Sequence, residues 1–264
     1  MSKSGLRPDI IWPVSLGGFF CAWVLLPQFR PVLSVFLLLH IPVLIYGIVN
    51  LHAGFFCHAY CHLPGEQNRC ALTFDDGPDP LLTPAILDLL DEYSITATFF
   101  LIGRKVRKHP ELAKAIVDRG HEVACHDLDH RPTANFRRHH QMVTDIREAC
   151  TIIAEATGNY PRLYRPPVGL SNPHLRTALA ELAMSCIGWN RSLGDAGNRF
   201  PRTFSRMSSL VSPGSIILLH DCLPDQSVRE LFLNNLRSLC SQMKNKGISG
   251  VSVSSLCAIA PYRI

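Results

Sequence analysis

The stretch T-F-D-D-G-P, residues 73–78, places two adjacent carboxylates, Asp75 and Asp76, at the end of an apolar run. Neighbouring side chains of an extended strand point to opposite faces, so both acids reach one site only where the strand has ended. The Gly77-Pro78 pair predicts the turn that this requires. Two close carboxylates raise each other's pKa unless a cation lies between them, so the pair predicts a metal site or an acid–base dyad. A solvated Asp-Asp-Gly turn is the alternative.

Two histidines farther along the chain have a spacing that suits a metal. His126 and His130 are four residues apart, and on a helical turn this spacing places both imidazoles on one face. Two histidines and one carboxylate, with coordination positions left open, commonly hold a catalytic Zn²⁺, and other divalent metals fit the same ligands. Because the chain contains 12 histidines, a chance surface pair is the alternative for this spacing taken by itself.

Five segments, in order, resemble the motifs of the NodB-homology polysaccharide deacetylases, which form carbohydrate esterase family 4. The resemblance covers roughly residues 69–253, most of the chain outside its N-terminal segment. The motif-like segments are residues 73–77, 126–130, 165–169, 189–195 and 218–221.

Three residues depart from the usual pattern of that family. Asp127 stands where the family usually has Ser or Thr, Val168 replaces an aromatic residue, and Ala196 replaces the Trp that normally follows the fourth-motif acid. None of them removes a metal ligand or a proton-transfer group. Val168 and Ala196 would reshape the substrate groove. They therefore weaken the expectation that this chain shares the family's polymer specificity more than the expectation that it shares the family's chemistry.

The resemblance implies a metal-dependent amide hydrolase that removes an N-acyl group, expected to be acetyl, from an amino sugar of a polysaccharide or oligosaccharide. Asp76, His126 and His130 would hold a divalent metal, for which we expect Zn, with Co or Mn as alternatives. Asp75 would act as the general base, and the backbone N–H of Val168 would help to stabilise the oxyanion.

An amine is a poor leaving group unless it is protonated, and the resemblance assigns the proton donor to His220. Asp195 would orient that imidazole and favour its charged form, while Arg165 would orient Asp75 and keep it ionised. Outside the family context, the alternatives are that Arg165, which stands before two prolines, is a surface turn residue and that Asp195 is a loop cap.

Short apolar runs alternate with helical stretches over the same part of the chain. The helical stretches include residues 83–93, with Thr83 as N-cap, and residues 111–119, which end at Gly120. Near-continuous apolar strands predict burial on both faces, as in a parallel sheet or barrel. We therefore predict an α/β fold, a distorted (β/α) barrel of about seven strands, in agreement with the family fold. The predicted strands are residues 70–74, 97–102, 122–125, 162–164, 185–189, 215–219 and 250–253.

The predicted strands also locate the site. Asp75, His126, Arg165 and His220 each stand at or just beyond the C-terminal end of a predicted strand. A parallel barrel gathers its active-site loops at that end, so the scattered motifs are expected to converge on one rim.

Two apolar stretches, residues 10–26 and 32–49, precede the barrel-like region. Each is near the roughly 20 residues that cross a bilayer. We predict a membrane-anchoring helical hairpin over residues 1–60 and a NodB-like deacetylase domain over residues 61–264. Because the segment contains several prolines, a bent or re-entrant hairpin is an alternative to two straight spans. A signal peptide is disfavoured because no small-residue cleavage site precedes the second apolar stretch.

The charge balance is weakly basic, with a formal net charge of +5. The basic run at residues 104–109 indicates a solvated helix face, with a membrane-proximal patch as the alternative. No nucleic-acid partner is expected, because no DNA- or RNA-binding motif accompanies the run. The expected partners are a membrane and either an N-acetylated glycan or a lipid-linked saccharide.

Ten cysteines include several inside apolar runs, where free thiols pack as small apolar side chains. This usage favours a reducing compartment. Lys3 and Arg7 favour a cytoplasmic N-terminus, and two complete spans would return the catalytic domain to the same side. We therefore predict a bacterial-type inner-membrane protein with its catalytic domain on the cytoplasmic face. A second metal cluster within residues 57–62 is a minor alternative, because its spacing fits no common zinc module.

Two alternatives to polymer deacetylation stay open. A membrane anchor and the loss of two aromatic groove residues favour a lipid-linked saccharide as substrate. A catalytically silent, membrane-attached glycan-binding protein would keep the barrel and bind sugar without turnover. The retention of both acids and all three motif histidines argues against the silent protein.

Overall fold

Parallel strands form the centre of the fold. The computed structural model describes residues 8–131, 133–195, 210–222 and 226–263. In chain order, the strands are β1 Ala59–Tyr60, β2 Arg69–Gly77, β3 Thr98–Leu101, β4 Glu122–Cys125, β5 Leu163–Tyr164, β6 Ser185–Ile187, β7 Arg191–Ser192, β8 Ile216–His220 and β9 Ser249–Gly250.

These strands join one curled sheet in which every pairing is parallel. Its order is β1-β6-β5-β4-β3-β2-β8-β7, and β9 pairs with β2. The predicted distorted (β/α) barrel is confirmed, and all seven predicted strands are present with shifted ends. β1 and β7 were not predicted, because two-residue strands carry too little of a pattern to be recognised.

Alternation along the strands divides the apolar side chains between two cores. Phe74 and Phe99 stack with 4.9 Å between ring centroids in the core between the sheet and the helices. Phe100 and Ala124 belong to the smaller core inside the curl of the sheet. Successive side chains of a strand point to opposite faces, so the inward-facing Ala71 of β2 is followed at two-residue intervals by Thr73 and Asp75, which also point into the barrel. This alternation directs polar side chains at the C-terminal ends of the strands toward one open end of the barrel interior, which we call the mouth.

Helices cover the outer face of the sheet. Thr83 was predicted as an N-cap, but Leu82 is the cap and Thr83 is the first helical residue, because its hydroxyl is engaged by Asp79 and Asp221 instead. The helices outside the N-terminal segment are α3 Thr83–Glu92, α4 Gly103–Lys108, α5 Pro110–Asp118, α6 His139–Thr157, α7 Pro173–Glu181, α8 Arg229–Asn245 and α9 Val253–Cys257.

The N-terminal segment is a hairpin of two apolar helices, which confirms the predicted hairpin. The first helix, α1, which we call αN1, spans Pro8–Leu25, and the second, α2, which we call αN2, spans Arg30–Val49, with a 3₁₀ turn between them. Phe19 stacks on Phe36 with 5.4 Å between ring centroids, and the Trp23 indole donates a hydrogen bond to Ser34. Among the described residues, the segment Pro27–Val49 is long and apolar enough to cross a membrane.

The hairpin leads directly into the barrel sheet. β1 pairs with β6, and Leu51 and Cys57 belong to the core between sheet and helices. The end of αN2 is therefore held close to the barrel rather than separated from it by a long linker.

Candidate active site

The two acids of the first motif reach one site through an irregularity in β2. The register against β3 shifts between Asp75 and Gly77, and Asp76 has a left-handed φ of 71°. The two acids were predicted to converge where the strand has ended, and that prediction is wrong, because β2 continues to Gly77 and the irregularity at Asp76 lies within the strand. Since Asp76 leaves the strand alternation, its side chain and that of Asp75 can face the same side.

His126 and His130 lie on the loop that follows β4. The predicted helical turn is wrong here: residues 126–130 form a bend in which Asp127 and His130 both have positive φ. The bend still brings the two rings together, with centroids 5.0 Å apart. Both Nε2 atoms face Asp76 Oδ1, at 3.5 Å from His126 and 3.4 Å from His130.

Asp76, His126 and His130 offer three ligand atoms that all lie within 4.8 Å of one another. Asp76 Oδ1 is buried and has no hydrogen-bond partner in the described part of the chain. His126 Nδ1 lies 2.8 Å from the carbonyl oxygen of Arg165, so a proton on Nδ1 is donated to that carbonyl and Nε2 keeps its lone pair for a ligand.

The electrostatics of this group also suit a cation. Burial opposes the charge of Asp76, but the neighbouring imidazoles of His126, His130 and His220 lower its pKa. Burial likewise opposes protonation of His126, but Asp75 and Asp76 raise its pKa. The carboxylates therefore attract positive charge into the site, and the three residues fit a divalent metal held by two imidazoles and one carboxylate.

A buried ion pair holds the histidine loop. Asp127, the residue that replaces the family's Ser or Thr, is buried, and its Oδ2 accepts a 2.5 Å hydrogen bond from Arg137. Arg137 also pairs with Asp145 at the start of α6. The departure at Asp127 therefore replaces a hydroxyl-bearing side chain with a carboxylate, which is linked through Arg137 to Asp145 of α6.

Arg165 is a fully buried charge whose guanidinium donates hydrogen bonds to several neighbouring acceptors. Its Nη1 donates to Asp75 Oδ1 at 2.7 Å and to the Thr73 hydroxyl at 2.8 Å, and Nη2 donates to the carbonyl oxygen of Gly188 at 2.9 Å. The guanidinium lies over the rings of Phe100 and Trp189. The alternative of a surface turn residue does not describe this side chain, because it is buried against Asp75 and fixes one of its oxygens.

His220 and Asp195 form the other half of the mouth. His220 ends β8, directly beside Asp75 in the β2–β8 pairing. Asp195 is buried and accepts hydrogen bonds from His220 Nδ1 at 2.9 Å and from the His220 backbone N–H at 2.8 Å. Burial disfavours the charged ring, but the Asp195 hydrogen bond and the charges of Asp195, Asp75 and Asp76 raise the pKa of His220 to about 9.

Val168 borders the mouth on the side of the third motif. It has a left-handed φ of 59° and an exposed side chain. The next residue, Gly169, packs under Trp189, where a Cβ would come within 2.4 Å of the indole. Because Val168 is small and exposed, the position that carries an aromatic residue in the family is open here. The third departure, at Ala196, lies outside the described residues.

Two supporting residues had no predicted role. Asp221 donates its backbone N–H to the Asp75 carbonyl, accepts a 2.6 Å hydrogen bond from Thr83, and is fully buried. A Cβ on Gly77 would come within 2.3 Å of Asp221 Oδ2, so glycine is required there for space. Lys105, from the basic run at residues 104–109, donates to the Asp76 carbonyl at 2.7 Å. The sequence signal for Asp221 was its place beside His220 in the fifth motif-like segment, residues 218–221.

The comparisons with known proteins agree with this geometry. The sequence model of the family described as "Polysaccharide deacetylase" matches residues 62–187. A peptidoglycan-N-acetylglucosamine deacetylase of Bacillus cereus is 33% identical over 74% of this chain and 90% of its own length. The chain belongs to the polysaccharide deacetylase family. It is a hydrolase of the class that acts on N-acetyl amino sugars.

Two further similarities extend the comparison. A chitooligosaccharide deacetylase of Bradyrhizobium is 34% identical over 58% of this chain and 70% of its own length. A crystal structure of a peptidoglycan N-acetylglucosamine deacetylase superimposes with a TM-score of 0.71 at 28% identity, covering 78% of this deacetylase and 94% of that chain. The family match ends at residue 187, so Asp195 and His220 join the site through the fold of this chain rather than within the matched segment.

Proposed function

We propose that this deacetylase removes an N-acetyl group from an amino-sugar residue of a glycan in a metal-dependent reaction, while its hairpin holds it on a membrane. The observation that carries the proposal is the convergence of three groups on one mouth. They are the Asp75–Arg165 pair, the cluster of Asp76 with two histidines, and the His220–Asp195 pair. Each group supports a different requirement of amide hydrolysis.

The cluster of Asp76, His126 and His130 would hold the divalent metal, with Zn as the expected ion and Co or Mn as alternatives. When bound, such an ion polarises an acyl carbonyl and makes a water more acidic. Asp76 also stays anionic next to the two imidazoles, which keeps the ligand set ready for a cation.

Asp75 would take the proton from the attacking water. Arg165 binds Asp75 Oδ1, so the carboxylate is fixed in orientation while Oδ2 is directed toward His126 Nε2, 3.7 Å away. A base held in one orientation can accept the proton of the water without first changing its rotamer. The backbone N–H of Val168, in the third-motif loop, would donate to the oxygen that gains negative charge.

His220 would protonate the leaving amine. Asp195 accepts from Nδ1, so the other ring nitrogen is directed away from Asp195 and is available to donate. Because the pKa of His220 is raised to about 9, the ring carries a proton at neutral pH, as an acid catalyst must. Asp195 acts through His220 and is a positioning residue.

The apolar hairpin supports membrane attachment. Pro27–Val49 has the length and composition of a membrane span, and within the hairpin the Trp23 indole is paired with the Ser34 hydroxyl. The cytoplasmic placement of the catalytic domain remains part of this proposal and rests on Lys3, Arg7 and the cysteine usage. The described cysteines are all free thiols, most of them buried.

Acetate release from N-acetylglucosamine oligomers tests the proposed chemistry. The metal-loaded protein should deacetylate them, and Asp75→Asn should lower kcat by about 10²-fold or more while metal content stays the same. Asp118→Asn is the matched control, because that carboxylate is exposed and pairs with Lys114 across one helical turn. Binding of the oligomers without any acetate release would support the silent glycan-binding alternative and would refute the proposed reaction.

A further inference from the structure

The catalytic mouth is fastened to the end of the apolar hairpin. Ser171, just past the third motif, donates its backbone N–H to the Ile48 carbonyl and its hydroxyl to the Gly47 carbonyl, each at 3.0 Å. These carbonyls belong to the last turn of αN2, where helical partners are lacking. The loop of the third motif therefore caps the helix that has the character of a membrane span.

A second contact links the third-motif loop to the histidine loop. Asn172 follows Ser171, and its side-chain amide donates to the Asn135 carbonyl at 2.5 Å and to the Asn135 side chain at 3.0 Å. Asn135 lies in the loop after β4 that also carries the metal-binding histidines. The end of αN2, the third-motif loop and the histidine loop are thus joined by two consecutive residues.

The same rim carries the exposed apolar side chains of the catalytic domain. Outside the hairpin, the large apolar side chains that are exposed in the described residues are Leu81, Phe136 and Val168, with exposed fractions of 57%, 86% and 64%. Leu81 follows β2, Phe136 follows β4 and Val168 follows β5, so all three lie in loops at the C-terminal ends of the strands. Exposed apolar residues grouped at one end of a domain mark a surface that meets another phase or partner.

An open cleft lies between the hairpin and the mouth. It has a volume of about 180 Å³ and is lined by Val49 and Asn50 at the end of αN2 and by Val168 and Trp189 of the site. Trp189 lies against Arg165, which binds the Asp75 carboxylate. The cleft thus lies between the third- and fourth-motif residues Val168 and Trp189 and the point where αN2 would leave a bilayer.

From these contacts we propose that the substrate is an N-acyl amino sugar carried on a membrane lipid, which the mouth receives from the bilayer surface beside αN2. The proposal rests on the deacetylase function proposed above. Leu81 and Phe136 would enter the interface while the hairpin crosses it, and Arg138, exposed next to the Phe136 loop, would meet anionic headgroups. The lipid tail stays in the membrane, and the small, open position at Val168 admits the sugar from that side.

The experiment uses the full-length, metal-loaded protein in nanodiscs of phosphatidylglycerol and phosphatidylcholine in equal parts. Three substrates are compared by acetate release: octadecyl N-acetylglucosaminide in the bilayer, methyl N-acetylglucosaminide in solution, and an N-acetylglucosamine tetramer in solution. We expect kcat/KM for the octadecyl glycoside to exceed that for the methyl glycoside by about 10²-fold, because the membrane concentrates substrate beside the mouth.

Variants separate membrane contact from chemistry. Phe136→Asp should lower kcat/KM for the octadecyl glycoside about tenfold, because a charge on that loop opposes its insertion, and should leave turnover of the methyl glycoside within about twofold. Ala180→Asp is the matched control at an exposed position near the end of α7 that leads into β6, at the opposite end of the strands. It should change neither rate.

Photo-crosslinking gives a readout that does not depend on turnover. A benzophenone analogue of phenylalanine at position 136 should form adducts with lipid, and the same analogue at position 180 should not. Equal adduct yields at the two positions, or equal rates for the bilayer and soluble substrates, would overturn the inference while leaving the deacetylase function intact. Absence of acetate from all three substrates would refute the deacetylase function and the lipid-linked substrate with it.

Discussion

Replacing Asp195 with Asn tests whether a charged His220 protonates the leaving amine. Asp195 accepts hydrogen bonds from both Nδ1 and the backbone N–H of His220. Burial works against the charged ring, and the hydrogen bond to Asp195, together with nearby carboxylates, raises its pKa to about 9. Asn keeps the size of the side chain but removes its charge, so the pKa of His220 should fall toward about 6.5, the ordinary value for histidine.

The size of the kinetic effect follows from the fraction of His220 that is charged. At about pH 7.5, a pKa of about 9 leaves nearly all of the ring charged, whereas a pKa of about 6.5 leaves roughly one tenth. We expect kcat/KM to fall by about tenfold from the loss of charge, and by up to about 10²-fold when the ring also loses its orientation. A bound cation would offset the carboxylates of Asp75 and Asp76. The alkaline limb of the wild-type profile should therefore lie below pH 9 but above that of the variant.

The stability of the metal-free protein gives an independent measurement. The folded-state pKa of His220 lies above the unfolded value, so its contribution to stability is fully present below about pH 6.5 and is lost as the pH rises to about 9. The gap between those values corresponds to a free energy on the order of 3 kcal/mol. Urea unfolding across this range should show the loss in the wild type and a much smaller one in Asp195→Asn.

Asp118→Asn serves as the control for both measurements, because it removes an exposed carboxylate that pairs with Lys114 at the end of α5, near the start of β4 and so at the other end of the strands. It should leave the pH profile and the unfolding free energy as they are in the wild type. An Asp195→Asn protein with the wild-type alkaline limb and the wild-type pH dependence of unfolding would show that Asp195 does not hold His220 in its charged form. The proton-donor role of His220 would then need another basis.

Three further changes test the metal cluster and the two close-packed supports of the mouth. His126→Ala should lose both metal stoichiometry and turnover, since two remaining ligands hold an ion poorly. Chelation of the wild-type protein should cause the same loss, and adding Zn²⁺ back should restore activity in the wild type but not in the variant. Metal analysis and acetate release measure both effects. Arg165→Lys should lower kcat and destabilise the fold by about 2–4 kcal/mol, because an ammonium cannot serve the several acceptors that the guanidinium serves; urea unfolding reports the free energy. Gly77→Ala should destabilise by about 1–3 kcal/mol, because its Cβ would meet the hydrogen-bonded carboxylate of Asp221, and an unchanged melting temperature would contradict that account.

The sequence determined the fold class, the order of the strands along the chain and the end of the sheet at which the site lies. Apolar runs of strand length separated by helical patterns suffice for a parallel sheet, because both faces of such a sheet are buried. Asp75, His126, Arg165 and His220 could be placed on one rim for the same reason, since each directly follows a predicted strand. The apolar hairpin was equally visible, because composition and length alone identify it.

Tertiary structure alone decided how those residues face one another. The left-handed conformation at Asp76 follows from how β2 pairs with its neighbours, and the histidine loop takes its bend from the buried tie between Asp127 and Arg137. The pairing of the third-motif loop with αN2 through Ser171 joins residues that are far apart in the sequence. Such contacts depend on packing between distant segments, whereas periodicity reports only local conformation, so no pattern along the chain could reveal them.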